Sequence, residues 1–108
     1  MAEVKGADNP FDGMNFGNYA APTSLDMDND GDLDMVVGNY AGNLAYLKNT
    51  GTNTNPVYTQ QLGADNPFDG MNFGNIAAPT SMDMDNDGDP DMVVGNYAGN
   101  LAYLKNTG

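Results

Sequence analysis

Short apolar runs alternate with clusters of glycine, asparagine and aspartate along the whole chain. Runs such as Met35-Val36-Val37 have the length of β-strands, and no window carries the apolar spacing of an amphipathic helix. The polar clusters between them are typical of turns. The pattern therefore predicts an all-β chain with strands over Tyr19–Met27, Asp34–Gly38, Asn43–Lys48, Val57–Leu62, Ile76–Met84, Asp91–Gly95 and Asn100–Lys105.

The predicted strands fall into two copies of one sequence unit. Gly6–Gly51 returns as Gly63–Gly108 at an offset of 57 residues, with Thr52–Leu62 between the copies. Only three of the 46 paired positions differ: Tyr19/Ile76, Leu25/Met82 and Leu33/Pro90. Such identity indicates a very recent duplication or a deliberately made or excised sequence, and we favour the second interpretation.

Each repeat has the length and strand content of one β-propeller blade, a four-stranded antiparallel sheet. Its strands are apolar on both faces, as in a sheet that neighbours cover on both sides. Two blades do not close a ring, since propellers typically hold about 4–8. An open pair would also expose apolar faces and strand edges. We therefore predict a β-propeller with two four-stranded blades per chain, completed as a cyclic homotrimer of six blades or a homotetramer of eight.

The repeat also predicts the domain organisation. Residues 6–62 form the first blade repeat, and residues 63–108 form the second. Subtracting the offset from Thr59–Leu62 gives Ala2–Lys5, the register of an outer strand for which the second repeat has no counterpart. Residues 1–5 are therefore expected to complete the last blade of a neighbouring chain.

Composition excludes several classes of function. Among 108 residues there is no histidine or cysteine, and 15 acidic residues face 3 lysines, for a formal net charge of −12. Without histidine or cysteine the chain has no Ser-His-Asp or Cys-His pair and no imidazole or thiolate zinc site. Three lysines neutralise few phosphates, so no nucleic-acid partner is expected. No apolar run reaches the length of a membrane span, and the first five residues carry no apolar signal core.

Ten of the fifteen acidic residues lie in two nine-residue loops of identical spacing. Carboxylates at positions 1, 3, 5 and 9 with glycine at position 6 match the start of an EF-hand-type calcium loop, in which odd-numbered side chains converge on one ion. Oxygen donors without nitrogen or sulfur favour Ca²⁺ over zinc or copper. The side-chain ligands predicted for two Ca²⁺ per chain are Asp26, Asp28, Asp30 and Asp34 in the first loop, and Asp83, Asp85, Asp87 and Asp91 in the second.

Asp32 and Asp89 stand at position 7, where a backbone carbonyl ligates in such loops and the side chain points elsewhere. Position 12 carries Val37 or Val94 in place of the bidentate glutamate, and no helix flanks either loop. The loops are thus predicted to be strand–loop–strand calcium sites and not EF-hands. The alternative is a solvated acidic turn, in which five aspartates within nine residues would repel one another.

The motif Asp-x-Asp-x-Asp-Gly-Asp-x-Asp, followed by Met-Val-Val-Gly-Asn, Gly-Asn-Leu-x-Tyr and Asn-Thr-Gly, resembles the FG-GAP/VCBS repeat. The pairs Phe16-Gly17 and Phe73-Gly74 resemble the Phe-Gly of that name. The resemblance implies the calcium-bearing propeller blades of integrin α-like proteins and many bacterial secreted proteins, with the aspartates as ligands between the first and second strands. It suggests an extracellular location. Family propellers commonly carry about seven blades in one chain.

Two functions remain open at this point. The first is a calcium-binding structural module that assembles with copies of itself and has no catalysis. The second is a lectin-like or adhesion propeller that binds carbohydrate or protein on the ring face, with Tyr40, Tyr97 and nearby asparagines as a polar–aromatic platform. A glycosidase acid pair could be drawn from Asp8, Asp12, Asp65 and Asp69. We favour the interpretation that these residues form Asx or Asp-Gly turns, because turn chemistry explains every residue of the Asn-Pro-Phe-Asp-Gly segments.

Overall fold

Residues 2–107 are described by the computed structural model of the chain, and they form an all-β structure of two antiparallel sheets. Sheet 1 has the order β1-β2-β3-β4, and sheet 2 has the order β5-β6-β7. The strands are β1 Ala21–Leu25, β2 Asp34–Gly38, β3 Leu44–Asn49, β4 Tyr58–Gln61, β5 Ala78–Met82, β6 Asp91–Gly95 and β7 Leu101–Leu104. The all-β prediction is confirmed: each strand falls inside its predicted range, except that β3 extends one residue further, to Asn49.

The first strand of each sheet is shorter than the sequence pattern suggested. Tyr19 and Ile76 both have φ of 59°, a left-handed conformation that does not continue a β-strand. The strands therefore begin two residues later, at Ala21 and Ala78. They end before Asp26 and Asp83, where the acidic loops begin.

The connector before each sheet is built from local turns. Short 3₁₀ turns at Gly6–Asp8 and Gly63–Asp65 precede it. Asn9 then accepts a hydrogen bond from the amide of Phe11 to its side-chain oxygen, and Asn66 does the same for Phe68. These are Asx turns, so the acids suggested as a glycosidase pair lie in turn segments.

The two sheets pack face to face around the main hydrophobic core. The forward face of sheet 1 consists of Leu25, Val36, Leu44 and Tyr46, each at most 5% exposed. It packs against the rear face of sheet 2, which is formed by Met92 and Val94 of β6 together with Phe68 and Ala77 of the connector before β5. The first strands of the two sheets, β1 and β5, are neighbours in this packing.

Hydrogen bonds join the β2–β3 hairpin of sheet 1 to the connector of sheet 2. The amides of Ile76 and Ala77 donate to the carbonyls of Tyr40 and Asn39, both at 2.9 Å. The approach is close enough that a Cβ on Gly38 would collide with the Ala77 carbonyl. Gly38 does not have a positive φ, so the requirement for glycine there comes from the neighbouring sheet.

The corresponding forward face of sheet 2 is open. It consists of Met82, Val93, Leu101 and Tyr103, which occupy the repeat positions of the forward face of sheet 1. Leu101 is 76% exposed where Leu44 is 3% exposed, and Tyr103 is 47% exposed where Tyr46 is 5% exposed. Nearly the same set of side chains, with Met82 in place of Leu25, thus forms a buried core in one repeat and a largely exposed apolar surface in the other.

The segment Ala2–Lys5 is exposed and lies outside both sheets, while β7 is the edge strand of sheet 2. Within residues 2–107, no helix has the length and apolar character that a membrane span requires.

Candidate metal centres

The two acidic loops connect the first and second strands of each sheet. Asn29 and Asn86 adopt φ of 59°, and Gly31 and Gly88 adopt φ near 90°. Glycine and asparagine are the residues that accept this left-handed backbone at least cost. The loop sequence therefore allows the chain to turn sharply and to bring its odd-numbered side chains to one side.

Four carboxylates converge in each loop. One oxygen from each of Asp26, Asp28, Asp30 and Asp34 lies within 4.8 Å of the others, and the same holds for Asp83, Asp85, Asp87 and Asp91. These are the eight residues predicted as side-chain ligands, and each group can hold a metal ion. The carboxylates of Asp32 and Asp89 do not belong to these groups.

The position-1 aspartate of each loop holds the loop backbone through hydrogen bonds to its carboxylate. The carboxylate of Asp26 accepts hydrogen bonds from the amides of Asp30 and Gly31, at 3.1 and 2.8 Å. Asp83 does the same for Asp87 and Gly88. The backbone is thereby folded around the carboxylate, which reduces the conformational entropy that an ion would have to remove on binding.

The position-9 aspartate ties the loop to the sheet. Asp34 is fully buried, and its carboxylate accepts the amides of Met27 at 3.0 Å and of Asn49 at 2.8 Å. Asp91, which is 1% exposed, accepts the corresponding amides of Met84 and Asn106. A buried carboxylate is stable only when such donors satisfy it. Each of these aspartates therefore joins the loop start to the end of the third strand.

Lysines that the sequence analysis did not single out complete both clusters. Lys48 Nζ lies 2.9 Å from Asp28, and Lys105 Nζ lies 3.0 Å from Asp85. Their recurrence at the same repeat position, directly after the run Leu-Ala-Tyr-Leu, is the sequence signal that identifies them. Each lysine supplies one positive charge to a cluster of four carboxylates, so most of the negative charge remains unbalanced.

The pKa directions within each loop reflect this imbalance. At Asp85, the hydrogen bond and charge of Lys105 hold the pKa below its ordinary value. At Asp87, the amide of Asp89 lowers the pKa, but desolvation and the adjacent Asp85 carboxylate outweigh it and raise the pKa overall. Burial raises the pKa of Asp34, and its two amide donors offset this only in part. Ionised neighbours thus oppose one another's charge, which a bound cation would relieve.

In the polar–aromatic platform suggested for carbohydrate, the side-chain amides of Asn39 and Asn96 already form hydrogen bonds with the backbone. Asn39 donates from its side chain to the carbonyl of Phe16 and accepts the amide of Asn43. Asn96 makes the equivalent bonds to Phe73 and Asn100. These asparagines hold the hairpin and connector together.

The model of the FG-GAP-like repeat matches residues 26–94, nearly two thirds of the chain, and the chain belongs to this family. The resemblance drawn from the sequence is confirmed. Comparison with curated proteins and with solved structures found no match. The family is generally a non-catalytic structural or adhesion repeat and implies a propeller module.

Proposed function

We propose that this chain is a calcium-binding structural module that assembles head to tail with copies of itself into a closed propeller of six or eight blades. The observation that carries the proposal is the contrast between Leu44 and Leu101, which share one repeat position but are 3% and 76% exposed. The packing inside the chain supplies a template for what covers the open face: the rear face of another copy.

The donor set supports calcium as the ion. Each cluster offers four carboxylates with no nitrogen or sulfur ligand, which is the chemistry that suits Ca²⁺. Asp26, Asp28, Asp30 and Asp34 would hold one ion with the carbonyl of Asp32. The second set would be Asp83, Asp85, Asp87 and Asp91 with the carbonyl of Asp89. Bound calcium would supply positive charge and fix the loop between the first two strands of each blade.

The rear face of sheet 1 complements the open forward face. Its repeat positions are Phe11, Ala20, Met35 and Val37, which correspond to Phe68, Ala77, Met92 and Val94 of the buried interface. Ala20 is exposed where Ala77 is fully buried. Because the two faces lie at opposite ends of the chain, their contact is heterologous and leads to a ring where the rotation closes.

The segment Ala2–Lys5 is proposed to add a fourth strand to sheet 2 of a neighbouring copy. In sheet 1, β4 pairs with β3 so that Thr59 faces Lys48 and Gln61 faces Tyr46. Transferred by the repeat offset, this register places Ala2 opposite Lys105 and Val4 opposite Tyr103. The added strand would cover the edge of β7, which otherwise presents unpaired backbone groups.

Mixing two variants tests the head-to-tail contact. Leu101→Glu disables the forward face of sheet 2, and Ala20→Glu disables the rear face of sheet 1. Each variant alone is expected to have single-chain mass in calcium, whereas an equimolar mixture forms a two-chain species through the intact faces. If either variant alone forms dimers, the contact joins like faces and the proposal fails.

Engineered disulfides test the strand register in a chain that has no native cysteine. Ala2→Cys with Lys105→Cys is expected to give covalent oligomers under mild oxidation. The control pair Lys5→Cys with Lys105→Cys is displaced by three residues and is expected to remain uncrosslinked. Equal cross-linking of both pairs would contradict the ordered strand.

A further inference from the structure

The two nine-residue acidic loops have the same spacing of acidic residues, but they differ in one contact. The side chain of Asn53, in the β3–β4 connection, reaches the first loop across 20 residues of chain. Its Oδ1 accepts the amide of Leu33 at 2.9 Å, and its Nδ2 donates to the carbonyl of Gly31 at 2.9 Å. These two bonds hold the peptide groups on both sides of Asp32.

Asp32 stands at the position whose backbone carbonyl is expected to face the ion. Holding its two flanking peptide groups restricts the rotation of that carbonyl before an ion arrives. Site rigidity is one of the properties that set calcium affinity in such loops, because a pre-arranged ligand loses less entropy on binding. Asn53 would therefore act on a bound ion through Asp32, as a positioning residue.

Asn53 is itself held by a folded connection. The side chain of Asn49, 2% exposed, accepts the amides of Gly51 and Val57 and donates to the carbonyl of Thr52. The amide of Asn49 donates to Asp34 of the same acidic loop. The connection is thus attached to the acidic loop at its start, through the amide of Asn49, and contacts the loop again through Asn53.

The second loop lacks the donor that this arrangement needs. Pro90 occupies the repeat position of Leu33, and proline has no amide hydrogen to donate. Leu33/Pro90 is one of only three differences between the repeats, and it falls at the amide that Asn53 holds. The hydrogen bonds within the second loop are otherwise those of the first.

We infer that the two calcium sites are inequivalent, with the first site bound more tightly because Asn53 fixes the peptide groups around Asp32. The inference rests on the proposed calcium function. The expected difference is on the order of tenfold in dissociation constant, which corresponds to about 1.4 kcal/mol.

Calcium titration of the full chain, followed by calorimetry and by the backbone amide resonances of Gly31 and Gly88, tests the inference. One resonance belongs to each loop, so the sites are observed separately. Asn53→Ala is expected to weaken the first site about tenfold, and Leu33→Pro, which removes only the amide donor, is expected to weaken it by a smaller factor; neither should change the second site. The matched controls are Asn55→Ala, in the same connection, and Leu33→Ala, which keeps the amide; both are expected to retain the first-site affinity.

Equal affinities in the unmodified chain, or an Asn53→Ala variant with unchanged first-site affinity, would overturn the inference and leave calcium binding intact. A melting temperature that Asn53→Ala lowers equally in calcium and in chelator would also overturn it, because the role would then be purely structural. Absence of any calcium binding would overturn the proposed function and the inference together.

Discussion

The hydroxyl of Ser81 donates a 2.8 Å hydrogen bond to the backbone carbonyl of Ser24, the residue at the same position in the preceding repeat. A contact between equivalent positions of successive repeats can be repeated without limit, since Ser81 offers the same carbonyl to a following repeat. It is a head-to-tail relationship of the kind that generates rings and filaments.

Gly38 and Gly95 form a matched pair for testing assembly. Gly38→Ala would place a Cβ against the Ala77 carbonyl inside the chain, and we expect a loss of about 1–3 kcal/mol in the free energy of unfolding. Gly95→Ala has room in the single chain, where the nearest atom to its Cβ would be Leu101 Cδ2 at 3.5 Å. In an assembled ring the same methyl would collide with the neighbour's Ala20 carbonyl.

Gly95→Ala is therefore expected to fold as a stable single chain and to lose assembly, as measured by urea unfolding and light scattering in calcium. The mass of the Gly95→Ala protein is compared with that of the unmodified chain, and its free energy of unfolding is compared with that of Gly38→Ala. A Gly95→Ala protein that assembles as the unmodified chain does would show that this face is not covered by another copy.

Calcium is expected to raise the melting temperature. With dissociation constants of about 10⁻⁴–10⁻³ M, about 10 mM calcium would stabilise the folded state by roughly 1.4–2.7 kcal/mol per site. Asp30→Asn and Asp87→Asn should each remove most of one site's contribution. Asp12→Asn changes the net charge equally but lies outside the loops, so it should keep the full calcium response. A melting temperature indifferent to chelator would contradict the calcium sites.

Tyr46 is expected to couple stability to alkaline pH. Burial, followed by the nearby Asp34 carboxylate, raises the pKa of Tyr46 far above its ordinary value of about 10. Since the folded pKa exceeds the unfolded one, the stabilisation is fully present below about pH 10 and is lost as the pH rises further. Tyr46→Phe should therefore lose less stability than the unmodified chain between about pH 10 and pH 12.

Urea unfolding at several alkaline pH values, in the Gly95→Ala background, measures this effect on the single chain. Tyr103→Phe is the matched control, because Tyr103 occupies the same repeat position but is 47% exposed. It should change the pH dependence less than Tyr46→Phe does. Equal effects of the two substitutions would contradict the asymmetric burial of the two repeats.

Much of the fold follows from the sequence. The bounds of β2 and β6 agree with the predicted ranges Asp34–Gly38 and Asp91–Gly95, because an aspartate that ends a loop and a glycine that begins a turn mark both ends of an apolar run. The convergence of the position 1, 3, 5 and 9 carboxylates also follows from the spacing. The late start of β1 and β5 does not, since two different residue types, Tyr19 and Ile76, adopt the same left-handed conformation and neither type indicates it.

The sequence pattern does not predict contacts between segments that are distant along the chain. Nothing in the order of residues indicates that Asn53 lies against the first acidic loop, because that contact depends on how the β3–β4 connection folds around Asn49. The pairing of Lys48 with Asp28 likewise depends on the register of β3 beside β2. Both become evident once the strands are placed side by side.

The mass of the chain in calcium-containing solution tests the central claim most directly. One chain has a mass of 11.4 kDa. Sedimentation equilibrium or light scattering in excess calcium is expected to give three or four times that value, for a ring of six or eight blades. A calcium-loaded species with the mass of a single chain would contradict the proposal that copies of the chain complete one another.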